Sequence, residues 1–155
     1  MTDQPLAFQD QIDENHCFGC GPDNSQGLKI KSYWLDTDVA ECRFTPKPHH
    51  CAGPTKYLNG GITATIIDCH CVCTAMAKAY QMSGRDIGVG EKIWFATAAL
   101  EVAYQRPVAI DQELVLTAEI EDASDNKISI NCTLSSQGEV CATSYVLAVK
   151  VPGNW

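Results

Sequence analysis

Positively charged residues are scarce in this sequence. Only 11 of its 155 residues are Lys or Arg, against 19 Asp and Glu, which gives a formal net charge of −8. A surface of this sign repels phosphate backbones and anionic lipid headgroups, so neither nucleic acids nor membranes are expected as partners. An anionic small molecule would need a local basic patch to bind, because the overall negative charge of the protein repels it.

Signals for export or membrane insertion are also missing. The first 15 residues (MTDQPLAFQDQIDEN) have neither the basic n-region nor the apolar h-region of a secretory signal. No uninterrupted apolar run reaches the roughly 18 residues that a membrane span needs. Cysteine, in contrast, is plentiful, with nine residues. An odd number without an export signal favours reduced thiols, so we expect a cytoplasmic protein.

Hydrophobic patterning predicts one buried helix and six strands. The helix runs from Gly60 to about Met82 and is apolar or small on nearly every face, which is typical of a buried helix. A long loop at 45–59 precedes it, and loops of this length in compact domains are often functional. The predicted strands are 28–35, 39–44, 93–104, 113–121, 127–135 and 139–151.

This element order predicts an α+β fold. One helix covers only one face of a sheet, so we expect a curved antiparallel sheet wrapped around the helix. The outer side of that helix also needs cover, which points to a homodimer. Residues 1–27 are expected to form an irregular lead-in, and residues 28–151 a single domain.

Three segments match the motifs of a known family in order and spacing. They are residues 15–28 (NHCFGCGPDNSQGL), 59–68 (NGGITATIID) and 104–108 (YQRPV). They resemble, in turn, the lead-in, the helix-opening His-Gly-Gly motif with its following Asp, and the end of the next strand in the hotdog thioesterase superfamily. The likeness is closest to the phenylacetate-pathway (PaaI-like) type. It implies a hotdog fold of five to six strands that forms a homodimer or a dimer of dimers. It also implies hydrolysis of acyl-CoA thioesters with no cofactor beyond the substrate's coenzyme A.

Asp68 is the strongest candidate for chemistry. It lies two turns inside an otherwise apolar helix, and none of its helical neighbours can pair with it. A buried carboxylate without a charged partner is costly and tends to have a raised pKa. Either it makes a structural hydrogen bond to a loop or a partner subunit, or it acts as a general base or nucleophile in a cleft.

Gly60 and Gly61 are candidate oxyanion donors. The N–H groups at a helix start are unpaired, and the helix dipole favours negative charge there. A plain loop-to-helix turn is the alternative. Asn59 stands where the family usually has His; it can orient a carbonyl but cannot relay a proton at neutral pH. The loop histidines His49 and His50 are candidates to compensate, although loop histidines are usually just solvated.

The resemblance also assigns Thr97 and Arg106. Thr97 falls where family members often carry a hydroxyl near the attacking water, and it is expected to face Asp68 across the dimer interface. Ordinary strand propensity explains a Thr equally well. Arg106 is a candidate contact for coenzyme A phosphates, or simply a solvated side chain. His70 is expected to be a core or interface histidine.

Cys17 and Cys20 form a Cys-x-x-Cys pair, which raises a zinc hypothesis. His49, His50 and Cys51 are the candidates to complete four ligands, but their spacing is not finger-like and the family resemblance carries no metal. We therefore predict no metal, with these thiols packed against the sheet.

The leading interpretation is thus an acyl-CoA thioesterase. A hotdog protein that binds an acyl or aromatic ligand without hydrolysing it is the first alternative, favoured by Asn59. A zinc-dependent structural module is the second.

Overall fold

The computed structural model describes residues 4–155. Over this range the chain forms one long helix, six strands and two short 3-10 turns. In chain order these are the 3-10 turn Phe8–Gln11, β1 (Ser32–Asp36), β2 (Val39–Phe44), the 3-10 turn Pro48–His50, α1 (Gly60–Met82), β3 (Trp94–Tyr104), β4 (Leu114–Ala123), β5 (Lys127–Ser136) and β6 (Glu139–Val151).

The predicted elements are present, and α1, β2 and β6 have the predicted bounds. β1 begins four residues later than predicted, because the backbone of residues 28–31 is hydrogen-bonded to the lead-in. The N–H of Leu28 donates to the Phe18 carbonyl at 2.8 Å, and that of Ile30 to the Gly19 carbonyl at 3.2 Å. The lead-in, rather than β2, therefore takes the backbone hydrogen bonds of this stretch.

All six strands lie in one antiparallel sheet of order β1-β2-β4-β5-β6-β3. Helix α1 packs against the four strands β3 to β6 and also touches β1. This confirms the predicted α+β architecture, a curved antiparallel sheet around one central helix. β3 is an edge strand: one side pairs with β6, and its other side has no strand partner among residues 4–155.

The core lies between α1 and the inner face of the sheet. On β4, Leu114, Leu116 and Ala118 are fully buried and alternate with half-buried residues. Ile66 and Ile67 of α1 are fully buried against this face. Burying each of these larger side chains contributes about 1.5–3 kcal/mol, so the all-round apolar character of α1 is explained by its position inside the sheet.

By length and composition alone, α1 is apolar enough to cross a membrane. Its most apolar 18-residue window has a mean hydropathy of 1.3, and 61% of that window is buried inside the protein. A core helix wrapped by a sheet satisfies the same test. Its burial therefore accounts for its composition without a membrane.

A buried polar network ties the lead-in to the helix. Gln9 Nε2 donates to Ser32 Oγ at 2.9 Å, and Ser32 Oγ is 2.7 Å from His70 Nδ1. The other ring nitrogen of His70 lies 3.2 Å from the Ala40 carbonyl oxygen. Burial lowers the pKa of His70 to about 4. His70 is therefore a neutral, satisfied core histidine, one of the two alternatives predicted for it.

Candidate active site

Asp68 and Thr97 are joined by a hydrogen bond within one chain. The Thr97 hydroxyl donates to Asp68 Oδ1 at 2.6 Å. The expectation that Thr97 meets Asp68 across a dimer interface is therefore wrong. β3 contains a bulge at this point, since its register with β6 shifts between Thr97 and Ala99. Bulges re-aim side chains and are frequent beside active sites.

The carboxylate of Asp68 is half-buried. Burial raises its pKa, and the hydrogen bond from Thr97 opposes that rise. Among the residues that the structure describes, no Lys or Arg forms an ion pair with it. Such a carboxylate, poorly solvated and held by a single hydroxyl, is a good acceptor for a proton from water and a competent nucleophile.

A cavity of about 240 Å³ opens beside this pair. Asp68 and Thr97 are on its wall, and most of the remaining surface is apolar or carries thiols. Its apolar lining includes Val72, Met76, Trp94, Phe95 and Trp155. A larger depression of about 520 Å³ lies on the outer face of the sheet, but no residue of α1 lines it. The smaller cavity therefore combines a half-buried carboxylate with room for an apolar group.

The start of α1 presents one free backbone donor. Asn59 is the N-cap: its Oδ1 accepts hydrogen bonds from the N–H of Gly61 at 2.8 Å and of Ile62 at 3.2 Å. Its carbonyl accepts the N–H of Thr63 at 3.2 Å. The Gly61 N–H, predicted as an oxyanion donor, is thus occupied by the cap. The Gly60 N–H has no acceptor within residues 4–155, and it lies at the positive end of the helix dipole.

Arg106 and Tyr104 lie near this free N–H. Both line a depression of about 300 Å³ together with Gly60 and Thr63. The Tyr104 hydroxyl donates to the Gly60 carbonyl at 2.6 Å, which fixes the first residue of the helix. Arg106 is exposed, and its nearest carboxylate, Glu139, is 3.7 Å away. It is therefore a solvated cation close to the helix start.

The loop histidines are engaged in their own loop. The Lys47 N–H donates to His50 Nδ1 at 3.0 Å, and the His50 ring stacks on Phe44 with centroids 6.0 Å apart. The His49 ring tilts against His50. Within the described part of the chain, neither ring is hydrogen-bonded to Asp68 or Asn59.

Four thiols meet where the lead-in crosses α1. The sulfur of Cys17 is 3.6 Å from that of Cys69, and the sulfur of Cys20 is 3.6 Å from that of Cys73. These thiols pack against the helix, so the expectation that they pack against the sheet is wrong. In the described chain, the candidates named from the sequence to complete a zinc site with this pair, His49, His50 and Cys51, are not part of this cluster. Hydrogen bonds from its three thiol neighbours lower the pKa of Cys20.

Two features of this region were not predicted from the sequence. One is the Tyr104 contact with Gly60, for which no local pattern exists. The other is the approach of Cys69 and Cys73 to the lead-in. Their spacing of four residues on a helix places them on one face, and this signal was available.

The region that contains this site also matches a known protein family. Residues 55–143, more than half of the chain, match the model of the thioesterase superfamily. The chain belongs to the thioesterase superfamily. The matched range includes the helix start, Asp68 and Thr97.

Solved structures of this superfamily share the fold. A thioesterase superfamily protein from Shewanella loihica is 32% identical, with a TM-score of 0.66 over 83% of this chain and 96% of that chain. The PaaI protein of the E. coli phenylacetic acid degradation operon is 14% identical, with a TM-score of 0.66 over 81% and 82% of the two chains. A phenylacetic acid degradation-related protein from Ralstonia eutropha is 17% identical, with a TM-score of 0.65 over 79% and 85%. At such low identity the last two support the hotdog fold alone.

Proposed function

We propose that this protein hydrolyses acyl-CoA thioesters in a cleft between two subunits, with Asp68 as the reacting carboxylate. The observation that carries the proposal is the Thr97–Asp68 hydrogen bond at the wall of an apolar cavity. Hydrolysis consumes one water and releases a carboxylic acid and the thiol of coenzyme A. Asp68 either removes a proton from the attacking water or attacks the carbonyl carbon itself; both routes use the same carboxylate.

The cavity beside Asp68 is the proposed site for the acyl group. Its polar groups are few, and aromatic rings from Trp94, Phe95 and Trp155 line it. Apolar walls favour an aliphatic or aromatic acyl chain, because such a chain leaves water without leaving a polar group unpaired.

The Gly60 N–H is the proposed oxyanion donor. It is the donor at the helix start that the cap leaves free, and the Asn59 side chain is held beside it. Because the Asn59 carboxamide oxygen is used in the cap, its Nδ2 is the group that remains to donate to a carbonyl oxygen. Arg106, exposed nearby, is the proposed contact for the phosphates of coenzyme A.

The separation of these groups supports a two-subunit site. Asp68 follows Gly60 by eight residues on one helix, which is about 12 Å along the axis. A carbonyl oxygen held about 3 Å from the Gly60 N–H therefore places its carbon out of reach of the same chain's Asp68. A second copy related by a two-fold axis can bring its own Asp68 to that carbon.

The edge strand β3 is the proposed contact between the two copies. It spans Trp94–Tyr104, and its outer backbone groups have no strand partner in the described chain. Unpaired edges are templates for pairing with another chain. Pairing there would place Thr97 and Tyr104 of both copies near the interface. Assembly of such dimers into a tetramer stays open to measurement.

A panel of acyl-CoAs tests the function. Short, long, branched and aromatic acyl-CoAs are incubated with the protein, and released coenzyme A is followed with a thiol reagent. We expect hydrolysis of at least one class by the wild type and none by Asp68→Ala. If no acyl-CoA is hydrolysed, or if the variant matches the wild type, the proposal is wrong.

A non-hydrolytic binding protein is the second candidate. The cap role of Asn59 favours it, because no imidazole stands at the helix start to relay a proton. In that case the panel would show saturable binding of an acyl-CoA, for example by calorimetry, without release of the thiol.

A further inference from the structure

The four thiols at the crossing of the lead-in and α1 have no role in the proposed hydrolysis. Against the absence of a metal that the sequence predicted, we propose that Cys17, Cys20, Cys69 and Cys73 bind a structural zinc ion. This inference goes beyond the proposed function, because it concerns how the cavity wall is held in place and not the reaction itself. Among the described residues, Cys17, Cys20 and Cys69 are the one group of three or more Cys, His, Asp or Glu whose ligand atoms all lie within 4.8 Å of one another.

Two of the six sulfur–sulfur separations match those of a tetrahedral zinc centre. Zinc–thiolate bonds are about 2.3 Å long, so the four sulfurs of a tetrahedral site are about 3.8 Å apart. The Cys17–Cys69 and Cys20–Cys73 sulfur pairs are each 3.6 Å apart. A disulfide bond is much shorter, at about 2.05 Å. The sulfurs of Cys17, Cys20 and Cys69 lie within 4.8 Å of one another, and Cys73 touches Cys20 but lies outside that group. Binding a metal would therefore require the sulfur of Cys73 to move closer to those of Cys17 and Cys69.

The backbone of the lead-in is shaped to bring its two thiols together. The Gly21 N–H donates to the Cys17 carbonyl at 2.8 Å and closes a tight turn around Cys20. A Cβ atom on Gly21 would lie 2.4 Å from the Cys17 backbone nitrogen and 2.5 Å from the Asn15 carbonyl oxygen. These are backbone atoms that cannot move aside, so the turn requires glycine. The glycine that directly follows the Cys-x-x-Cys pair is therefore required by the geometry of this turn.

A second glycine, Gly19, allows this turn to pack closely against α1. A Cβ atom on Gly19 would lie 2.3 Å from the sulfur of Cys69 and 3.0 Å from a methyl carbon of Thr65. The close approach at Gly19 is what allows the lead-in thiols to meet those of α1. Cys69 and Cys73 are one helical turn apart and share the face that the turn covers.

Asn15 supports the cluster from outside. It is a polar residue that is only 3% exposed, and its Oδ1 accepts the Cys17 N–H at 3.2 Å. Its Nδ2 donates toward the sulfur of Cys20 at 3.9 Å. Amide donors to ligating sulfurs are a common feature of the shell around metal–thiolate centres, since they stabilise negative charge on sulfur.

Four protein ligands leave no open position on the metal. A closed tetrathiolate site is structural rather than catalytic. Its place explains its use: Asn15, Cys17 and Cys20 form one wall of the cavity that Asp68 faces, and Cys69 follows Asp68 directly. A metal at this crossing would fix that wall to the turn of α1 that carries the carboxylate.

Cys71 provides a matched control. It lies on the same helix and is fully buried, but it points about 200° away from Cys69 and contacts Cys132 on β5. Its replacement removes one buried thiol of α1 without touching the proposed site.

Metal content is the direct test. The wild type and the variants Cys20→Ala, Cys73→Ala and Cys71→Ala are purified under reducing conditions without chelators or immobilised metal, and zinc and iron are measured by mass spectrometry. We expect about one zinc per chain in the wild type and in Cys71→Ala, and a loss to near zero in the other two. Iron in place of zinc, or zinc retained in Cys20→Ala and Cys73→Ala, would overturn the proposal. Wild-type protein that holds no zinc even after incubation with one equivalent of Zn²⁺ would also overturn it.

Cobalt substitution keeps the test decisive if the ligand variants fail to fold. Wild-type protein is stripped with a chelator and loaded with Co²⁺. We expect the strong visible bands of tetrahedral cobalt together with sulfur-to-cobalt charge-transfer absorption. A weak octahedral spectrum, or intact-mass evidence of disulfides in metal-free protein as isolated, contradicts the proposal. None of these readouts involves thioester hydrolysis, so failure here leaves the proposed function untouched, and the reverse also holds.

Discussion

The Thr97 hydroxyl donates a 2.6 Å hydrogen bond to Asp68 Oδ1 and joins the bulge of β3 to the middle of α1 within one chain. The carboxylate is otherwise poorly solvated, and in the described chain no cation pairs with it. Burial raises the pKa of Asp68 while this bond lowers it. This hydrogen bond therefore fixes the position of the Asp68 carboxylate and lowers the pH at which it becomes protonated.

The Thr97 bond predicts a change in the pH–rate profile. Thr97→Val removes the hydroxyl with little change in volume, so the pKa of Asp68 rises. Because the ionised carboxylate is the proposed active form, the acidic limb of the kcat profile should move to higher pH. Thr97→Ser, which keeps the hydroxyl, should stay near the wild type. An acidic limb that is the same in all three proteins contradicts this role.

The free N–H of Gly60 can be removed without unfolding the helix. Proline is favoured at the first position of a helix and lacks the N–H, and Asn59 already has the extended conformation that precedes proline (φ −61°, ψ 132°). Gly60→Pro should lower kcat by about 10²–10³-fold, the usual cost of one oxyanion donor.

Gly60→Ala is the matched control for that variant. It keeps the N–H, and its Cβ atom would meet only the Tyr104 ring at 3.7–3.8 Å, an ordinary contact. We expect Gly60→Ala to retain most of the wild-type kcat. Equal losses in the two variants would mean that the side chain, and not the N–H, matters at this position.

Mixed dimers test whether one site uses two chains. Asp68→Asn and Gly60→Pro are each expected to retain about 1% of the wild-type activity or less. A heterodimer of the two pairs one intact Gly60 with one intact Asp68. Random exchange in a one-to-one mixture should restore about one quarter of wild-type activity. Steady-state rates measured after unfolding and refolding the mixture give the answer. Activity no higher than that of the separate variants, in a mixture shown to contain heterodimers, rules out the shared site.

His70 predicts a loss of stability in acid. Burial lowers its pKa to about 4 from an ordinary value of 6.5, so the unfolded chain binds the proton more tightly than the folded one. The stabilisation is complete above about pH 6.5 and is lost as the pH falls toward 4. Between about pH 6.5 and pH 5 the free energy of unfolding should fall by about 2 kcal/mol on this account.

Urea unfolding of the wild type and His70→Gln at these two pH values, at equal protein concentration, measures that difference. The variant lacks the titrating ring, so its stability should fall by about 2 kcal/mol less than that of the wild type. Equal pH slopes for the two proteins would show that His70 is not the group responsible.

Local sequence patterns predicted the bounds of an element correctly where those bounds depend only on residues within or next to that element. The bounds of α1 follow from its all-round apolar composition, with Gly60 at its start and Ser83-Gly84 at its end; Gly84 has a φ of +70°, which favours glycine. The start of β1 was not predictable in this way. Its neighbouring residues bind the lead-in, and no periodicity records where a distant loop will lie.

The same distinction holds at the site. Asp68 stands out in the sequence because a carboxylate in an apolar helix is costly, whereas its contact with Thr97 depends on a bulge and on tertiary packing. The resemblance to a family suggested that the two are partners but placed them in different chains. Cys17 is 52 residues from Cys69 and Cys20 is 53 residues from Cys73, so only the folded chain shows that the two pairs of thiols converge.

The proposed hydrolysis depends most directly on the carboxylate of Asp68. Asp68→Asn keeps the size of the side chain and its ability to bond Thr97 but removes the charge and the proton acceptor. The decisive measurement is kcat for the best acyl-CoA of the panel, compared between the wild type and this variant, with circular dichroism confirming equal folding. We predict a loss of about 10²–10⁴-fold. A variant that hydrolyses the substrate at the wild-type rate would contradict the account.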